Sequence, residues 1–383
     1  MRWRRLRLGL GLLAIVACAA PATAPPVASP PQSPNATGSP AAAVDALPGL
    51  AGAEGAAAPT TPPLAPPVTL KIATLLGLTD AGTFIGMDRG YFAEEGIEIE
   101  LTRVDGAAQA MPHVATGALD LAGVTPSSAF FNAVLRGLPL RIAADKGRMR
   151  VGASPSQWGL RPDVAASGAV RDWADLRGRA IGVNVPNTGT VTDIMLDNAL
   201  SRGGLTRDDV QIVELPYPDM NTALATGAVE IVQHTEPWVT QGANLGVLER
   251  WRSGAEATPD QYTGVWLYGP TFGESAAASR FMVAYLRGAR VYNDAIVHGR
   301  DKASVVESLT RHTAVKDPAL YAQMNFSYID PDGRVDPELL AADVRYYLAK
   351  GFMQQPIDVH QVVEQRYVDY ALARLGPYQP PAP

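Results

Sequence analysis

One seven-residue phrase occurs twice in this chain, and that repeat limits its architecture more than any other feature. Residues 115–121 read Ala-Thr-Gly-Ala-Leu-Asp-Leu, and residues 225–231 read Ala-Thr-Gly-Ala-Val-Glu-Ile. Each copy has the pattern of a helix end, a glycine stop and a short buried strand. Each then runs on to a polar residue before proline, Thr125-Pro126 in the first and Glu236-Pro237 in the second. The echo predicts two similarly built lobes that present equivalent loops to each other. A cleft between two lobes is where a small ligand belongs.

The order of elements agrees. From Val68 the spacing predicts a strand over 70–76, a short helix over 83–93 and an alternating Ile/Glu strand over 97–101. A helix over 107–116, a strand over 119–124, a helix over 127–136 and a strand over 140–144 follow. Residues 153–178 read as irregular, with a strap at 173–178. The alternation restarts with a strand over 180–185 and a helix whose face is Val191, Ile194, Met195 and Ala199. Thr190-x-x-Asp193 caps its start and Gly203-Gly204 ends it. Strand 210–215, helix 220–226 and strand 229–233 complete the second set, and beyond Trp266 the pattern is mostly helical to Leu375. Strands alternating with helices imply an α/β fold with two mostly parallel sheets, each covered on both faces. In such sheets a ligand sits outside the carboxyl ends of the strands. The loops expected to face it are 77–83, 124–128, 186–190, 216–220 and 234–238.

The start of the chain predicts its compartment. Arg2, Arg4, Arg5 and Arg7 precede an apolar run of ten, Leu8 to Ala17, too short for the roughly 20 residues that cross a bilayer. It is read as a signal peptide over residues 1–17. Cys18, the only cysteine, follows small residues and looks like the lipidated residue of a bacterial lipobox; ordinary secretory cleavage near Ala22 or Ala24 is the alternative. Lipidation would leave no thiol for disulfides or catalysis. Loss of residues 1–17 shifts the net charge from −6 to about −10, which removes any electrostatic case for nucleic acid. Residues 19–67 hold 13 Pro and 16 Ala in 49 residues and no aromatic side chain, the composition of a disordered tether over 18–67. Stretched toward polyproline geometry, such a tether reaches roughly 150 Å.

Several motifs in order resemble one family. Residues 90–97, Gly-Tyr-Phe-Ala-Glu-Glu-Gly-Ile, are similar to the opening motif of the nitrate/sulfonate/taurine class of ABC-transporter solute-binding proteins, a group that extends to thiamine-precursor carriers. The two echo phrases, Asp-Leu-Arg-Gly-Arg-Ala-Ile-Gly-Val at 175–183, Gly-Leu-Thr-Arg-Asp-Asp-Val at 204–210 and Glu236-Pro237 continue the resemblance from about residue 68 to 376. It implies a two-lobed type II periplasmic-binding-protein fold with hinge crossings near 150–156 and 260–268. Lobe I would comprise 68–152 plus 266–383, and lobe II 153–265. It also implies a monomer that captures a small organic or oxyanion ligand by lobe closure, without catalysis or cofactor. The partners would be an ABC permease and its ATPase, with the membrane reached through the N-terminal lipid. Fold alone does not separate this from a ligand-sensing receptor. The resemblance also touches pyrimidine-synthase-like enzymes, but their form is Cys-rich and metal-binding.

The candidate ligand residues are Thr79 and Asp80 in the first loop, Thr125, Ser127 and Ser128 in the second, and Asn187, Thr188, Gly189 and Thr190 in the third. Asp219, Glu236 and Trp238 stand in the last two. Residues 188–190 follow a buried strand and open a helix, so their N–H groups suit an oxyanion, or else simply cap the helix. Glu236 would favour a donor or cation, or else pair with a nearby Arg; Trp238 would stack on ligand, or else pack in the core. These loops contain no Lys or Arg, which points to a neutral, zwitterionic or amine-bearing ligand. His113, His234, His298, His312 and His360 lack metal-ligand spacing, though His234 adjoins the last loop. The phosphate-cradling and nucleophile-elbow motifs are absent.

Overall fold

The computed structural model describes residues 61–382; the signal peptide, Cys18 and most of the Pro/Ala-rich segment lie outside the described residues. Ten strands form two five-stranded sheets. The first contains β1 (Val68–Thr74), β2 (Ile97–Arg103), β3 (Leu121–Val124), β4 (Arg141–Arg148) and β10 (Tyr262–Tyr268). The second contains β5 (Ser156–Leu160), β6 (Ala180–Val183), β7 (Gln211–Glu214), β8 (Ile231–Thr235) and β9 (Glu249–Ser253). The spatial orders are β2-β1-β3-β10-β4 and β7-β6-β8-β5-β9, the same plan twice. In each sheet one strand runs against the other four: β10 in the first and β5 in the second. Each is the strand by which the chain enters its sheet after crossing from the other lobe, so it must start at the hinge end.

The repeated phrase occupies equivalent places in the two sheets. Gly117 (φ 77°) and Gly227 (φ 75°) close the helices Ala107–Thr116 and Tyr217–Thr226, in the left-handed region where glycine avoids a side-chain clash. Asp120 then accepts from the backbone N–H of Lys71 at 2.7 Å, while Glu230 takes Arg179 Nη1 at 2.8 Å and Ala180 N at 3.3 Å. Each acid thus ties the approach to the central strand β3 or β8 to the neighbouring parallel strand, β1 or β6. All four residues of β3 are buried, as a central strand covered on both faces requires.

Apolar layers cover both faces of each sheet. On the first sheet the 23-residue helix Ala276–His298 lies against the helix Ala81–Asp88. Gly288 permits this approach, because a Cβ there would overlap the Gly82 carbonyl. Among the described residues no helix is long and apolar enough to cross a membrane.

The structure corrects the sequence expectations in three places. Residues 153–178 are not irregular: they contain β5 and the helix Pro162–Ser167. Ser-Gln-Trp-Gly-Leu carries only a weak apolar pattern, and its strand state comes from pairing on both sides with β8 and β9. The second crossing falls at 258–261, so residues 262–265 belong to the first sheet rather than to lobe II. The tether expected to end at residue 67 is already seated on the first lobe by Leu64, which packs on its core and whose N–H donates to Glu95 O at 3.1 Å.

The two crossings, 149–155 and 258–261, bond to each other through Met149 N to Gln261 O at 2.8 Å and Arg150 Nε to Asp260 Oδ1 at 3.0 Å. Gln261 also donates from Nε2 to Asp343 Oδ2 at 2.8 Å, and burial pushes the Asp343 carboxyl up to about 7. A carboxyl whose folded pKa lies above its ordinary 3.8 stabilises the fold at low pH and loses that contribution as pH rises toward 7. Asp343→Asn should therefore raise the melting temperature at pH 8 and change it little at pH 4. Thermal unfolding across that range checks this, and an equal effect at both pH values would contradict it.

Candidate functional site

The loops at the carboxyl ends of the strands meet across the space between the lobes. Ser128 N, at the start of the helix Ser128–Leu135, donates to Gly189 O of the second lobe at 2.9 Å. On another flank Asn325 N donates to Glu236 Oε1 at 3.2 Å and Arg250 Nη2 to Gln323 O at 3.1 Å. Further along, Lys350 Nζ lies 2.6 Å from Asp197 Oδ2, and Tyr346 Oη donates to the same oxygen at 3.0 Å. Polar bonds join the lobes at three separate points, which is a closed arrangement.

The loop after β6 has an unusual backbone. Val185 (φ 40°), Asn187 (φ 62°) and Gly189 (φ 67°) all occupy the left-handed region, a strained state for a β-branched valine. Left-handed residues alternating with others turn consecutive N–H groups to one side, forming an anion-binding nest. That nest is filled from within the chain. Asn187 N donates to Asp193 Oδ1 at 2.7 Å, and Thr188, Gly189 and Thr190 N donate to Asp193 Oδ2 at 3.0, 2.8 and 3.3 Å. Arg207 Nη2 adds a charged bond to Oδ1 at 2.9 Å, and the Asp193 side chain is fully buried. The donors expected to meet a ligand oxyanion hold a protein carboxylate instead. Thr190 and Asp193 do form the expected capping box. The Thr188 hydroxyl donates back to Val185 O at 2.7 Å.

Arg207 carries the network on to Asp197, with Nε to Oδ1 at 2.5 Å. Burial opposes the Asp197 charge, but bonds from Arg207 and Lys350 outweigh it and hold the carboxyl below its ordinary range.

On the first lobe, Asp80 is fully buried, accepts from Gly77 N at 2.9 Å, and lies 2.7 Å from Lys146 Nζ. Lys146 is itself fully buried; its Nζ donates to Thr79 Oγ1 at 3.1 Å and sits 5.4 Å from the centre of the Trp266 ring. Thr125 Oγ1 donates to Thr263 O at 2.7 Å, and the Thr263 and Ser327 hydroxyls share a bond of 3.2 Å. Thr79, Thr125 and Thr263 are all half-buried and Ser327 is buried, so a group of hydroxyls bonded within the lobe stands near a neutralised cation. Ser127 and Ser128 are buried, with Ser127 O capping the next turn through Phe130 N and Phe131 N.

On the second lobe Glu236 is paired: Arg250 Nη1 donates to Oε1 at 3.1 Å and Thr240 N to Oε2 at 3.0 Å. Its carboxylate is thus held by protein donors from both lobes, Thr240 N, Arg250 and Asn325 N. Trp238 is half-buried and faces Tyr217, ring centres 5.6 Å apart and 22° from parallel. His234 completes the group, 5.8 Å from Tyr217 and 6.3 Å from Trp238. Burial lowers its pKa to about 4, so the ring is neutral near pH 7. Asp219 is exposed on the first turn of the helix Tyr217–Thr226 and joins none of these contacts.

Sequence reasoning missed Lys146, Thr263, Ser327, Arg207, Arg250 and Tyr217. Lys146 had a readable signal: Asp145-Lys146-Gly147-Arg148 directly extends a buried strand, and charges there need partners. Arg207 and Arg250 lie outside the loops and reach in through long side chains, which a loop-by-loop reading does not register.

Removing the carboxylate leaves four amides without an acceptor and takes one of the two acids from Arg207, which keeps Asp197. Asp193→Ala should cost about 3–5 kcal/mol, the range for breaking a buried pair. Added acetate should recover part of the lost melting temperature in the variant and none in the parent; calorimetric melts with and without acetate decide this.

No curated protein sequence matches the chain. Solved structures of the same fold include the alkanesulfonate-binding protein of Xanthomonas axonopodis pv. citri, bound to MOPS, at 16% identity and TM-score 0.59, covering 78% of this chain and 99% of that one. The aliphatic sulphonate-binding protein of Escherichia coli aligns at 16% identity and TM-score 0.62, over 78% and 92%. The nitrate-binding protein of Synechocystis PCC 6803 aligns at 16% and 0.61, over 81% and 89%. All three are named as periplasmic or ligand-binding proteins, and at these identities they show the two-lobed fold. The model of the NMT1/THI5-like family matches residues 79–291, more than half of the 383 residues, and the chain belongs to that family.

Proposed function

We propose that the protein is the extracytoplasmic solute receptor of an ABC-type importer, working by lobe closure and without chemistry of its own. The observation that carries this reading is the set of polar bonds joining two equivalent lobes across one cleft, with only two crossing segments between them. Lobes linked in this way close by hinge motion, and a ligand drives closure only by touching both sides. Thr79, Thr125, Ser127 and Ser128 from lobe I and residues 187–190, Glu236 and Trp238 from lobe II border that space. The reading further takes residues 1–17 as a signal peptide, Cys18 as the lipidated mature N-terminus, and a permease with its ATPase as the partners that receive the solute.

Two experiments test this. A solute that binds should raise the melting temperature of the mature protein and shorten the distance between spin labels on Leu135 and Leu245, one in each lobe. Binding without any change in that distance would contradict the closure mechanism. Cys18→Ser should release the protein from the membrane fraction; undiminished membrane association would remove the lipid anchor.

A further inference from the structure

We propose that residues 61–67, Thr-Pro-Pro-Leu-Ala-Pro-Pro, are a clasp that fastens the incoming chain to a far corner of lobe I, so that lobe I is held and lobe II swings. The swing rests on the receptor reading above; the clasp itself does not.

The seat is the segment 90–97, part of the motif shared with solute-binding proteins. Leu64 N donates to Glu95 O at 3.1 Å and Val68 N to Gly96 O at 3.0 Å, so two successive carbonyls take the chain on either side of Pro66 and Pro67. The Leu64 side chain packs on the apolar core of the first lobe. Gly96 (φ 74°) permits this approach, because a Cβ there would overlap the Leu64 backbone. Glu95 is braced in turn. Its buried carboxylate lies 3.2 Å from Arg280 Nη1 and 2.8 Å from Arg374 Nη2, which come from the helices Ala276–His298 and Arg366–Leu375. Glu94 pairs with Arg287, whose guanidinium covers the Tyr91 ring at 3.8 Å. Thr61, Pro62 and Pro63 share one groove with Val283, Arg287 and Leu375. Four prolines in seven residues restrict the undocked clasp, so seating it costs less conformational entropy than seating an ordinary segment.

Topology decides what the clasp does. β2 is an outer strand of the first sheet, and both crossings attach at the opposite side, to β4 and β10. Residues 95 and 96 precede Ile97, so the seat lies at the amino end of β2, whereas the cleft loops follow carboxyl ends. The clasp therefore stands diagonally across the lobe from hinge and cleft. Beyond it β1 pairs with β2 along its whole length, from Val68 with Ile97 to Thr74 with Arg103. A pull on the N-terminus meets the clasp and then this ladder. Lobe II is reached only through the crossings 149–155 and 258–261.

The test is a set of spin-label distances in the mature chain carrying Cys18→Ser, which leaves no native thiol. Labels on Thr61 and Leu135, both in lobe I, should give one narrow distance. Leu64→Ser should free residue 61 to range about 15 Å from Val68 and broaden that distance, and Leu64→Met should keep it narrow. Amide exchange over 61–68 should quicken about tenfold in the serine variant alone. Melting curves show that each variant is folded. Lys350→Glu, which sets an acid against Asp197 across the interface, should shift the Thr61–Leu245 distance and leave Thr61–Leu135 unchanged. A broad Thr61–Leu135 distance in the parent would overturn the clasp. A distance that stays narrow in Leu64→Ser would overturn Leu64 as its fastening. Movement of Thr61–Leu135 together with Thr61–Leu245 would overturn lobe I as the held lobe. Movement of neither would count against the swing, and so against the receptor reading, while the clasp stands.

Discussion

The carboxylate of Asp193 is the interaction on which the cleft depends. It gathers four backbone amides and one guanidinium, so the strained loop at 185–190 has a fixed shape without help from any ligand. That shape places Gly189 O opposite Ser128 N, and a side chain at Gly189 would collide with the Ser128 hydroxyl and the Phe352 ring. Through Arg207 the same node reaches Asp197, Lys350 and Tyr346, so the inner loop and the outer flank of the interface share one electrostatic network. An isolated surface ion pair contributes little. This one is largely buried and joined through shared partners, where bonds reinforce each other.

Neutralisation recurs around the cleft. Lys146 with Asp80 on one lobe and Arg250 with Glu236 on the other repeat the pattern of a basic side chain held by an inward-facing acid. Where a charge does face across the interface it meets its opposite, as Lys350 of the first lobe meets Asp197 of the second. The same fold in proteins named for sulfonate and nitrate shows how little the architecture fixes the ligand.

Much of the fold was legible in the sequence, because the two copies of one phrase sit at equivalent helix-to-strand junctions of two sheets with the same strand order. The features that escaped were those decided by distant partners. β5 is a strand because β8 and β9 flank it, and no periodicity within Ser156–Leu160 announces that. The Thr190 and Asp193 capping box was readable, but the return of residues 187–190 onto the same carboxylate needed left-handed backbone at Val185 as well as at Asn187 and Gly189, and a valine gives no sign of that. Lack of basic residues in the loops was correctly visible, whereas the arginines that enter from neighbouring segments were not. Glu236 pairs with Arg250, the kind of nearby arginine that the sequence offered as the plainer alternative.

In the nest of residues 187–190 the protein supplies its own anion. An electron-density map of crystals grown with a high concentration of sulfate puts this to the test. The expected density has Asp193 in the nest with both oxygens on the amides of 187–190 and no sulfate there. Sulfate in the nest, with the Asp193 side chain rotated out toward solvent, would contradict it.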